Sequence, residues 1–127
     1  MTTADPQNIQ WLSLPEAAEL LEVELRAVRG MLTERRLLAV RRGENKALSI
    51  ARDFLVLPGD DSPIPEPPVV IPGLRGTIIQ LADAGYDDEE TLGWLYAEDE
   101  ELGETPIAAL RAARTHAVRR VAQTLAF

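Results

Sequence analysis

A helix start is written into residues 13–16, Ser-Leu-Pro-Glu. Ser13 can accept a backbone N–H as N-cap, and Glu16, three residues on, has the spacing of a capping box. Pro15 falls in the first turn, where its missing N–H costs nothing. Ala17, Ala18, Leu20 and Leu21 then supply a small apolar face that another helix can approach closely. Glu22-Val23 interrupts this pattern, so a second helix is expected over residues 24–35. Its inward residues would be Leu25, Val28, Met31 and Leu32, with Arg26, Arg29 and Thr33 outward. Gly30, mid-helix, should cost roughly 0.5–1 kcal/mol relative to Ala unless another backbone approaches it.

Residues 38–40 read as a strand, 41–46 as a polar turn around Gly43, and 47–50 as a returning strand. Two short helices with a tight joint, followed by a basic hairpin, is the plan of a winged helix-turn-helix. The stretch LSLPEAAELLEV…VRGMLTERRLLAVRRG resembles the winged helix-turn-helix of excisionase and MerR-type DNA-binding domains. More closely, it resembles a small actinobacterial family of winged-helix DNA-binding regulators. PGLRGTIIQLADAGYDDEETLGWL followed by TPIAALRAARTHAVRRVAQ is similar to that family's C-terminal helical part, so the likeness runs from Trp11 to the end. Such helix-turn-helix sequences carry glycine in the inter-helix turn and again after the second helix, where this chain has Glu22 and Arg35. The resemblance implies double-stranded DNA as partner and transcriptional regulation as role. A looser likeness, of TLGWL…LGETPIAALR…HAVRR to the toxin-binding domain of Xre/ParS-type antitoxins, implies a different class: an interaction module whose C-terminal helices hold a protein partner.

The formal net charge of −8 argues at first against nucleic acid. Its distribution reverses that. Residues 24–52 hold eight basic side chains (Arg26, Arg29, Arg35, Arg36, Arg41, Arg42, Lys46, Arg52) against three acidic ones. Residues 53–104 hold fourteen acidic ones and only Arg75, and residues 105–127 add Arg111, Arg114, Arg119 and Arg120. Positive charge thus gathers on the expected recognition helix and wing, the elements that would meet phosphate.

The chain divides into a loose tail over 1–10, the winged helix-turn-helix over 11–57, a linker over 58–72 and a C-terminal helical domain over 73–127. In the tail, Thr2 and Thr3 read more readily as ordinary threonines than as kinase targets. Trp11 and Leu12 are expected to anchor on the first helix, and residues 51–55 to make one helical turn with Phe54 and Leu55 inward. Six of the nine prolines lie between Pro58 and Pro72. They favour extended backbone, so no helix crosses. A semi-rigid linker is a simpler reading of them than a ligand for an SH3-like partner. Leu74, Ile78 and Leu81 mark a helix over 74–84 closed by Gly85 at C′. Asp87 or Asp88 caps the next, which presents Leu92, Leu95 and Tyr96; Glu98 to Glu101 form an acidic loop. Thr105-Pro106 starts a last helical unit with Ile107, Leu110 and Ala113 on one face. It continues through Val118, Val121 and Ala122 after a break near Arg114-Thr115.

Catalysis finds no constellation. The acidic runs 87–90 and 98–101 lack the alternate-ligand spacing of an EF-hand loop. Ser49 and the single His116 have no triad partners, GLRG at 73–76 lacks the pattern of a phosphate loop, and no cysteine is present. No metal or cofactor is expected. No stretch approaches a membrane span and the N-terminus shows no signal pattern. The expected location is the cytoplasm, at the nucleoid when DNA is bound. The expectation is therefore a mainly α protein with a β-hairpin wing and a C-terminal helical bundle, a sequence-selective DNA-binding regulator. Arg26, Arg29 and Thr33 would face the groove, and Arg41, Arg42 and Lys46 would grip backbone. Arg35 and Arg36 would either join them or cap the second helix's negative end. Trp94, Leu95, Ile107 and Leu110, an apolar surplus, point to a homodimer through the C-terminal helices.

Overall fold

The capping box forms. In a computed structural model of the chain, which describes residues 8–125, Ser13 Oγ accepts from Glu16 N at 3.1 Å and Glu16 Oε1 accepts from Ser13 N at 2.7 Å. This starts α1 (Leu14–Leu21), which buries Leu14, Ala17, Ala18 and Leu21 but leaves Leu20 outward, against expectation. Glu22 ends the helix at φ 61°, with its N–H on Glu19 O and that of Val23 on Ala18 O. α2 (Leu25–Thr33) is shorter than expected at both ends; Val28 is buried, and Leu25, Met31 and Leu32 are half-buried. Its end repeats the motif: Arg35 sits at φ 62°, its N–H on Leu32 O and that of Arg36 on Met31 O. Both are 6→1 and 5→2 hydrogen-bond pairs that satisfy terminal carbonyls. Glu22 and Arg35, where the resemblance implies glycine, thus take a left-handed backbone with side chains attached.

Three strands form one antiparallel sheet, β1 (Trp11–Ser13), β2 (Val40–Arg42) and β3 (Ala47–Ala51), in the order β1-β3-β2. Trp11 and Leu12 therefore do more than anchor the first helix. They add an edge strand, with Trp11 opposite Ala51 and Leu12 opposite Ile50. The first wing strand lies two residues later than expected, because Leu37 and Leu38 plug the core from a loop. Arg41 and Arg42 consequently belong to a strand, not to the turn.

A 3-10 turn (Arg52–Phe54) leads to β4 (Leu55–Val56), which pairs antiparallel with β5 (Val69–Val70). The proline-rich stretch runs along the body without a helix, and its Ile64 and Ile71 are core residues. α3 (Leu74–Asp83) closes through Gly85 N on Ala82 O and Tyr86 N on Leu81 O, the turn expected of Gly85. α4 (Asp88–Leu95) begins with a second capping box, between Asp87 and Glu90. α5 (Pro106–Arg111) starts at the expected Thr105 cap, and α6 (Thr115–Gln123) follows the expected break. Ala113 is not inward but exposed, at φ 65°, because α5 has already ended.

The architecture is mainly α with a β wing, and one apolar cluster joins side chains from α1, β3, the proline-rich stretch and α3 to α6. A polar clasp crosses it. Asp60 is held between Arg52 at 2.8 Å and Arg111 at 3.1 Å, with all three side chains largely buried. Hydrogen bonding from Arg52 keeps its carboxyl well below the usual carboxylate range. No helix among the described residues is long and apolar enough to cross a membrane.

Candidate nucleic-acid interface

α2 offers the outward face that the sequence expects. Arg26 projects from its first turn with 88% of its side chain exposed, and pairs with Glu24 at 2.8 Å. Arg29, one turn on, is exposed; its carbonyl accepts from the hydroxyl of the exposed Thr33 at 3.1 Å, which ties that side chain back to the helix. Arg35 stands on the left-handed cap, exposed, and Arg36 lies 3.9 Å from Glu34, more than half exposed. Neither caps the helix's negative end. That role falls to Arg75 of α3, whose Nε donates to Glu34 O at 3.1 Å.

In the wing, Lys46 takes a left-handed φ of 52° beside Gly43, and Arg41 Nη1 donates to Lys46 O at 2.9 Å. This spans the hairpin mouth and leaves two uncompensated cations at its tip. Arg41 faces Leu48 across the ladder and Arg42 faces Ala47, so strand alternation sends the two neighbours to opposite sides of the sheet. Arg42 is thereby withdrawn. Its guanidinium stacks 4.8 Å over the Trp11 ring and makes a two-pronged bond to Glu89 of α4, at 2.8 and 3.0 Å. The hydrogen bond to Glu89 raises Arg42's pKa and lowers that of Glu89. Of the three cations expected to grip backbone, Arg41 and Lys46 stand exposed, while Arg42 is engaged with Trp11 and Glu89.

Sequence reasoning missed the two braces, Glu89 and Arg75. Glu89 lies 47 positions from Arg42 and reads locally as a carboxylate suited to a helix N-terminus. No periodicity reports such a distant partner. Of the four residues expected to form an apolar surplus for a homodimer, Leu95, Ile107 and Leu110 are fully buried in the core and Trp94 is half-buried against it. Among the described residues the large hydrophobics that stand exposed are Leu20 and Val23, at the joint of α1 and α2 and not on the C-terminal helices.

Comparison with known proteins gives one consistent result. Residues 3–55 match the family model of the winged helix-turn-helix domain of the DNA-binding protein Rv2175c. Residues 71–126 match that of the Rv2175c C-terminal domain of unknown function. The DNA-binding protein Rv2175c of Mycobacterium tuberculosis (strain ATCC 25618 / H37Rv) is 32% identical over 126 residues, covering 90% of this chain and 79% of that protein. An NMR structure of Rv2175c superposes with a TM-score of 0.76 at 30% identity, over 100% of this chain and 87% of that one.

Proposed function

Because the chain belongs to the family of the DNA-binding protein Rv2175c, we propose that it binds double-stranded DNA sequence-selectively and acts in transcriptional regulation. α2 enters the major groove, where the Arg26 and Arg29 guanidinium groups can pair with guanine O6 and N7. Arg35, Arg36, Arg41 and Lys46 meet phosphate on either side. Thr33 lies at the groove wall. The observation that carries this reading is a contrast in how the arginines are used. Arg42, Arg52, Arg111 and Arg114 close ion pairs with residues eight or more positions away, on other elements or loops of the fold. The cations of α2 and the wing tip have at most a neighbouring, exposed glutamate.

The test is binding of the full chain to one selected and one scrambled duplex across a salt series. If about four phosphates are neutralised, log K should fall with log salt at a slope of about −3.6 or steeper. Arg29→Ala should reduce the preference for the selected duplex by about 1–3 kcal/mol, with little change on the scrambled one. Absence of salt-dependent binding to either duplex would remove the DNA reading. The acidic stretch 53–104 touches the wing through Glu89, whose charge Arg42 neutralises, and its more distant charges are screened beyond roughly 10 Å at 0.1 M salt.

A further inference from the structure

The thirteen basic residues fall into two groups. Arg26, Arg36, Arg42, Arg52, Arg111 and Arg114 each have a carboxylate within ion-pair distance. Among the described residues, Arg29, Arg35, Arg41, Lys46, Arg75, Arg119 and Arg120 have none. Four of these seven lie on α2, its cap or the wing. The other three lie on α3 and α6, in a half of the molecule that does supply carboxylates to Arg111 and Arg114.

Their positions are connected. Arg75 opens α3, and its bond to Glu34 O at 3.1 Å sets its guanidinium at the C-terminal end of α2, beside the exposed Arg35 and Arg36. Arg119 comes from α6. Its Nη2 lies 3.9 Å from where a Cβ on Gly76 would stand, one residue past Arg75, which sets its guanidinium against the first turn of α3. Val118, Val121 and Ala122 bury the other face of α6 and turn Arg119 and Arg120 to solvent. Arg35, Arg36, Arg75 and Arg119 thus follow one another from the recognition helix onto the C-terminal helices.

We propose that Arg75 and Arg119 form a second phosphate-binding surface, by which the C-terminal helices extend the grip on the DNA backbone past the end of α2. The proposal rests on the reading of α2 and the wing as the DNA-binding element. Guanidinium groups without carboxylate partners suit phosphate oxygens, and continuity with the α2 cations favours the same duplex over a separate acidic protein. Contacts of this kind position the duplex without reading bases.

The experiment compares wild type, Arg75→Gln/Arg119→Gln, Arg75→Lys/Arg119→Lys and Arg119→Gln, all full length, on the selected and scrambled duplexes across salt. The double Gln variant should flatten the log K against log salt slope by about 1.8, and the single variant by about 0.9. Affinity for both duplexes should drop together, by more than about tenfold for the double variant at about 0.1 M salt, leaving the ratio between them unchanged. The Lys variant should keep the wild-type slope to within half a unit. Arg119 makes no hydrogen bond within the described fold, so its single substitution reads charge even if loss of the Arg75 bond loosens α3. A double Gln variant that matches wild type overturns the second surface while the wild-type slope upholds the first. A Lys variant as impaired as the Gln variant also overturns it, because structure and not charge would then be at work. A wild type without salt-dependent binding removes both readings together.

Discussion

Gly30 lies mid-helix in α2, and a Cβ built there would meet nothing within 4 Å. Close backbone approach therefore does not account for it, and Gly30→Ala should stabilise the fold by about 0.5–1 kcal/mol in urea unfolding. Gly73 is the opposite case. At φ 88° its Cβ would stand 2.6 Å from Thr115 Cγ2, so Gly73→Ala should destabilise by more than Gly30→Ala gains. Asp60 is held by two largely buried arginines. Asp60→Asn leaves Arg52 and Arg111 largely buried without a counter-charge, an expected loss of about 3 kcal/mol near neutral pH. The sign of its pH dependence follows from the lowered folded-state pKa. The contribution is complete above the unfolded value of about 3.9 and is lost progressively as the pH falls below it toward the folded value. Urea midpoints at pH 7 and pH 3 should differ less in Asp60→Asn than in wild type.

Elements matter through what holds them. The wing is a two-strand hairpin that would be marginal alone; β1 pairs with its second strand and the Arg42–Glu89–Trp11 contact ties its first strand to α4. Arg42→Ala should accordingly cost about 1 kcal/mol of stability, the sum of an exposed ion pair and a cation–π contact. Arg41→Ala should leave stability nearly unchanged and instead flatten the salt slope of duplex binding by about 0.9. A larger salt-slope effect from Arg42 than from Arg41 would reverse their assignment. Adjacent in sequence and identical in chemistry, the two differ only by the side of the strand they occupy.

At the scale of the molecule, the core draws on residues from Leu12 to Ala122, on both sides of the proline-rich stretch. Phe54, Leu55 and Val56 are at most 1% exposed, yet they are covered by segments further along the chain, including β5 and Arg111. Cutting after residue 57 removes Asp60, Ile64, Ile71 and the partner strand of β4 together. The fragment 1–57 is expected to be unfolded or aggregated by circular dichroism. The intact chain should lose secondary and tertiary signals in one coincident transition. Two separate transitions, or a well-folded fragment, would contradict the single core.

The sequence by itself determined what depends on neighbours three or four residues apart. The caps at Ser13, Asp87 and Thr105, the turn at Gly85, the helix-free proline stretch and the clustering of cations along residues 24–46 are all of this kind, because capping and dipole effects act within one turn. Only the tertiary structure decided which distant groups meet. The pairing of Trp11–Ser13 with β3, of β4 with β5, and of Arg42 with Glu89 or Asp60 with Arg111 leaves no local trace, since each depends on how separate elements pack. The same holds for Glu22 and Arg35. Their side chains disfavour a left-handed backbone, but the terminal carbonyls of α1 and α2 require hydrogen bonds and the packed helices permit only that path. Which cations were left free to meet a ligand was settled in the same way, by the places where the fold supplied a carboxylate and where it did not.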